Sequence, residues 1–81
     1  MLKADGFDEA IMGVVQRFGQ ETVILYDTDK LIDILVQRDE MPYDDAVEFF
    51  EYNILGSWVG EETPAFFSGT TLEQLEEEDL L

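Results

Sequence analysis

Cysteine and histidine are both absent from the 81-residue chain. Without cysteine there is no disulfide framework and no thiolate metal site, and the redox compartment leans towards the cytosol. Without histidine the usual proton shuttle near neutral pH is missing, with the commonest nitrogen metal ligand and the base of any Ser-His or Cys-His pair. Cations are scarce: four Lys and Arg stand against twenty Asp and Glu, a formal net charge of −16. No apolar run approaches the roughly 20 residues of a bilayer-spanning helix, and "MLKADGFDEAIMGVV" lacks the basic, apolar and small-residue succession of a signal peptide. These absences predict a soluble, cytoplasmic protein with no membrane partner.

What remains is enough to fold. At 46% hydrophobic and 12% aromatic, the chain lies outside the composition of disordered segments and suffices for one modest core. Its charge far exceeds the magnitude of about 2 to 8 that keeps a small domain dispersed. Such a surface repels nucleic acid and anionic lipid. It attracts basic protein surfaces over a Debye length of about 8 Å.

"EAIMGVVQR" and "ETVILYD" read as a β-hairpin, with "FGQE" supplying the turn; Gly13, Val14 and Val15 favour strand over helix in the first run. Asp27, Thr28 and Asp29 are N-cap candidates for a first helix carrying Leu31, Ile34 and Leu35 at helical spacing and ending near "RDEM". Pro42 opens a second helix, in which Tyr43, Ala46, Val47, Phe50 and Ile54 follow the rhythm of one buried face and Gly56 is the expected stop. "SWV", "GEET" and "PAFF" have the shape of a second hairpin or a strand with a tight turn. "TTLEQLEEEDLL" begins with a capping box from Thr70 to Glu73 and forms a short helix or a frayed tail. The expected architecture is α+β: a small antiparallel sheet of three or four strands with two helices on one face. Residues 1–67 form the domain, and residues 68–81 form an acidic C-terminal helix or tail.

Within the second helix, Asp44, Glu48 and Glu51 fall at i, i+4 and i+7 opposite Phe50, with Asp45 three residues before Glu48. Neighbours on such a face lie about 5 to 6 Å apart. Two unit charges at about 6 Å repel by about 0.7 kcal/mol in water, and by about half that at physiological ionic strength. An ordinary solvated helix face alternates its signs; here no Lys or Arg follows Arg38. The column is read as a face for a cationic partner. Duplex DNA presents one negative charge per about 1.7 Å of axis to proteins lined with Lys and Arg. The column, with a second patch from Glu73, Glu76, Glu77, Glu78 and Asp79, suits imitation of that charge; the second patch is equally well a solubilising end.

The other constellations are weaker. Asp27, Asp29 and Asp33 suggest a divalent cation, but the sixth and twelfth places of an EF-hand loop hold Ile32 and Arg38, so helix capping is the better reading and no metal or other cofactor is expected. Gly56, Gly60 and Gly69 are too widely spaced to cradle phosphate, and Ser57 and Ser68 have no base to activate them. No enzyme is expected. Trp58, Phe49, Phe66 and Phe67 are core or an exposed anchor.

The strand ending in "YD", the "DK" and "RD" around the first helix, and above all "FEYNILGSWVGEETP" resemble a family of short, uncharacterised proteins encoded by bacteriophages and their hosts. The resemblance spans residues 23–67. It implies a compact α+β domain of phage origin and carries over no catalytic residues; the acidic extension after Gly69 departs from it. By class, such a protein is similar to anti-CRISPR and other anti-defence inhibitors. The resulting expectation is an inhibitor that blocks a basic site on a nucleic-acid-handling protein, such as a CRISPR effector complex, without itself binding nucleic acid. The alternative is a structural or adaptor module that self-associates through its aromatics, for example as a homodimer, with charge serving only solubility.

Overall fold

The structure is a computed structural model and describes residues 1–57 and 60–80. Three strands, β1 (Ile11–Val15), β2 (Val23–Asp27) and β3 (Ala65–Phe67), and three helices, α1 (Thr28–Arg38), α2 (Tyr43–Phe49) and α3 (Leu72–Glu77), give an α+β fold with a small sheet ordered β1-β2-β3.

β1 and β2 form the expected antiparallel hairpin. In its turn the N–H of Gln20 donates to the carbonyl of Arg17 (3.1 Å), and Gly19, third of the four residues, has φ +77°. That position in a type II turn requires positive φ, which glycine adopts without a Cβ clash. Between Ile11 and Gly13 the register shifts, making Met12 the extra residue of a bulge.

The sheet is mixed, which corrects the all-antiparallel expectation. β3 pairs with β2 in parallel, Leu25 facing Ala65 and Asp27 facing Phe67. A parallel neighbour needs a crossover, and the two helices between β2 and β3 provide it. Of the two shapes expected for "SWV", "GEET" and "PAFF", a strand with a tight turn is present as β3 after the turn at residues 60–62, where Gly60 has φ +99°; Leu55–Ser57 is a 3-10 turn, and Trp58 and Val59 lie outside the described residues.

Asp27 caps α1, its carboxylate accepting from the N–H of Lys30 (3.3 Å). Thr28, Leu31, Ile32 and Leu35 are its buried residues. Tyr26, Leu31 and Leu35 are the largest fully buried side chains. Phe66 ties the layers together: it stacks on Tyr26 (centroids 5.7 Å apart) and meets Phe50 edge-on (5.3 Å), geometries that suit the aromatic quadrupole.

The N-terminal segment joins this core, with Ala4, Phe7 and Ala10 buried. The N–H of Ala4 donates to the Tyr26 hydroxyl (2.7 Å). Arg38 latches the segment onto α1 by donating to the carbonyl of Gly6 (2.7 Å), and its guanidinium sits 4.9 Å from the centre of the Phe7 ring. It also donates to the Asp39 carboxylate (2.9 Å from Nε). The hydrogen bonding between the two side chains, and then the attraction of their opposite charges, holds Asp39 below the usual carboxylate range and raises Arg38 above its own.

α2 runs into a π-helical segment, Phe50–Ile54, and the 3-10 turn carries the path past Gly56, the expected stop, to Ser57. In a regular helix each four-residue step drifts by about 40°. The wider π turn offsets that drift, which keeps Ala46, Phe50 and Ile54 buried on one face. Tyr43 departs from expectation at 64% exposed. It begins the helix and, with Asp29, Ile32, Asp33 and Val36 of α1, lines a surface hollow.

Candidate functional site

Asp44, Asp45, Glu48 and Glu51 are all exposed. The first three stand on α2, whose inner face is anchored by buried Ala46 and continued by Phe50 and Ile54. Glu51 lies one residue into the π segment, so its step from Glu48 no longer follows the regular phase assumed for the column. A surface hollow is lined by Asp45, Glu48, Phe49, Tyr52 and Asn53. It joins Asp45 to Glu48 but includes neither Asp44 nor Glu51.

Two members of that hollow, Tyr52 and Asn53, were not singled out in the sequence. Tyr52 is 74% exposed and Phe49 is 37% exposed. The signal was available: Tyr52 follows Glu48 by four residues, and Asp45, Phe49 and Asn53 follow one another at the same interval. The result is a face of mixed character, carboxylates with aromatic rings among them. Such a face favours a cation that also presents flat or apolar surface, because an aromatic face attracts cations electrostatically within about 6 Å.

The acids of the second patch, Glu73, Glu76, Glu77, Glu78 and Asp79, are also exposed. Glu73, Glu76 and Glu77 ride on α3, which has no buried residue and no extensive packing against another element, and Glu78 and Asp79 follow its end. The capping box of α3 lies one residue later than expected. Thr71 accepts from the N–H of Gln74 (3.2 Å), and the Gln74 side chain accepts from the N–H of Thr71 (3.3 Å), which leaves Glu73 outside the cap. Asp79 occupies the left-handed position after the helix (φ +57°). There the N–H of Asp79 donates to the carbonyl of Glu76 and that of Leu80 to the carbonyl of Leu75 (2.9 Å), a Schellman termination. Part of the second patch thus has a local structural role.

Among the described residues the side-chain ion pairs are Lys3 with Asp8 and Arg38 with Asp39. Neither involves a carboxylate of α2, the π segment or α3. Asp27 is occupied as the cap of α1, and no trio of carboxylates among the described residues gathers closely enough to hold a metal ion. Of the expected aromatic anchors, Phe66 is partly buried and packed against the core, Phe67 and Phe49 are partly exposed, and Trp58 lies outside the described residues. Among the described residues no helix is long and apolar enough to cross a membrane. No protein family, no curated protein and no solved structure matches the chain.

Proposed function

We propose that the chain is a non-enzymatic inhibitor of phage type that acts in the host cytoplasm. It occupies a Lys- and Arg-rich nucleic-acid-binding site on a host protein, such as a CRISPR effector complex, and offers carboxylates where phosphates would lie. One observation carries the reading. Asp44, Asp45, Glu48 and Glu51 are exposed and outside every ion pair among the described residues, on a helical rod whose other side is buried. Their mutual repulsion opposes folding by a few tenths of a kcal/mol per neighbouring pair, roughly, after screening. Fixed anions at such a cost suit a partner whose cations relieve it, and they steer that partner's approach.

Self-association through aromatics fits this face poorly. Phe49 and Tyr52 lie among the carboxylates, so docking two copies there would press like charges together.

The test is capture from a bacterial lysate with duplex DNA as competitor. The expected result is a nucleic-acid-binding protein that DNA displaces, with capture falling steeply as salt rises and disappearing when Glu48 and Glu51 are changed to Lys while circular dichroism is unchanged. Capture that neither DNA nor salt disturbs would overturn the proposal.

A further inference from the structure

We propose that β1 is the seat of a two-fold dimer, in which the β1 strands of two copies pair antiparallel and merge two three-stranded sheets into one. The strand order puts β1 at an edge, with β2 as its sole strand neighbour among the described residues. An edge strand carries a row of main-chain donors and acceptors open to a further strand. Natural edges are blunted by charge, proline or bulges. Ile11–Val15 contains no charged residue and no proline, and has only the bulge at Met12. It is also poorly covered: Ile11, Met12 and Val14 are exposed, and Phe18 in the adjoining turn is fully so. The opposite edge, β3, is only three residues long.

Charge selects a second copy as the occupant. Residues 10–20 contain no Asp or Glu and include Arg17, which makes this the longest acid-free run in a chain of net charge −16. Two copies that must approach each other do so here with the least repulsion. The run is also self-complementary, as a two-fold contact requires. With Gly13 near the axis, Ile11 and Met12 meet Val15 and Val14 of the second copy, and the hairpin turn that begins at Arg17 lies towards the 3-10 turn Asp8–Ala10 that carries Glu9. Glycine near the axis leaves no side chain to clash with its symmetry mate. None of its residues lines the hollow that holds Asp45 and Glu48.

The salt response distinguishes the two surfaces. Sixteen net negative charges per copy outweigh two Arg17–Glu9 cross-pairs, so screening strengthens this dimer, whereas it weakens capture by a cationic partner. The experiment is sedimentation equilibrium of the full chain from about 0.01 M to about 1 M NaCl, over which the Debye length falls from about 30 to about 3 Å. The mass is expected to move from 9.3 kDa towards twice that value. Val14→Lys, at an exposed position, is expected to hold the chain at one copy throughout, with unchanged circular dichroism. Near physiological salt, Arg17→Glu is expected to reduce the dimer and the double change Glu9→Arg with Arg17→Glu to restore it. A single copy at every ionic strength, a dimer undisturbed by Val14→Lys, or no rescue by the charge swap overturns the proposal.

Discussion

α2 and α3 are both short, acidic helices, and they are held in opposite ways. α2 has no side-chain hydrogen bond at its N-cap, Pro42, yet Ala46, Phe50 and Ile54 fix it and its π extension to the core. α3 has a reciprocal capping box and a Schellman termination, yet has no buried residue. Local hydrogen bonds decide where a helix begins and ends, but an isolated helix this short is marginal in water. Burial is what holds carboxylates at fixed positions for a partner. The two patches carry similar charge, and only the one on α2 has a rigid mounting.

The sharpest way to break the contrast is to truncate one apolar side chain on each side of it. Phe50→Ala is expected to cost about 3 to 5 kcal/mol, against a total of about 4 to 12 kcal/mol at 0.05 to 0.15 kcal/mol per residue. Leu72→Ala in exposed α3 is expected to stay within about 0.5 kcal/mol. Urea midpoints would read both. Equal losses would mean that α3 is packed after all.

Next comes charge. Changing Asp44, Asp45, Glu48 and Glu51 to their amides is expected to weaken partner capture by at least about tenfold, or about 1.4 kcal/mol, while slightly raising the unfolding midpoint. The same treatment of Glu73, Glu76, Glu77, Glu78 and Asp79 is expected to change capture far less, although it removes one more charge. Competition binding at fixed salt measures both, and a reversed order would move the site to α3.

A third variant probes local order alone. Thr71→Ala removes the cap of α3 and is expected to cost about 1 kcal/mol of that helix's own stability, with the global midpoint unchanged. Faster amide exchange confined to residues 72–80 is the expected signature.

The smallest effect lies at the end of α1. Arg38 holds the Asp39 carboxyl below its ordinary value, so the stabilisation from this pair is present above the unfolded-state pKa and fades as pH falls through the lower folded one. Wild type and Asp39→Asn are therefore expected to differ slightly near neutral pH and to converge in acid. Thermal midpoints measured across a pH series would show it.

Much of this was legible in the residues, because it was local. Asp27 is one of three cap candidates in its loop, the β1–β2 hairpin has its turn glycine, and of Tyr43, Ala46, Val47, Phe50 and Ile54, which share one-face spacing, Ala46, Phe50 and Ile54 are buried. What was missed depends on partners distant in sequence or on a change of helical pitch. Nothing within Ala65–Phe67 says that its neighbour is β2, in parallel, rather than a strand just before it. The regular rhythm gives no notice of the π segment, and so it misplaced Glu51 relative to Glu48 and overlooked the hollow that gathers Tyr52 and Asn53. Nothing near Phe7 in the sequence announces its burial, which joins it to core residues distant along the chain and sets its ring under Arg38. The capping box was recognised but set one residue early, since Thr70 and Thr71 are chemically equivalent in sequence and only the backbone chooses.

Phe66 touches both Tyr26 and Phe50, and this has a bearing on the order of assembly. The hairpin and α1 can form from near neighbours along the chain, whereas β3 must cross two helices to reach β2, and such distant closures come late and slowly. Until that strand arrives, the rod bearing the acidic face lacks its edge-on ring contact. A chain emerging from the ribosome would therefore acquire the shape of its charged surface as one of its last acts, and a slow closing step in refolding should coincide with the gain of binding competence.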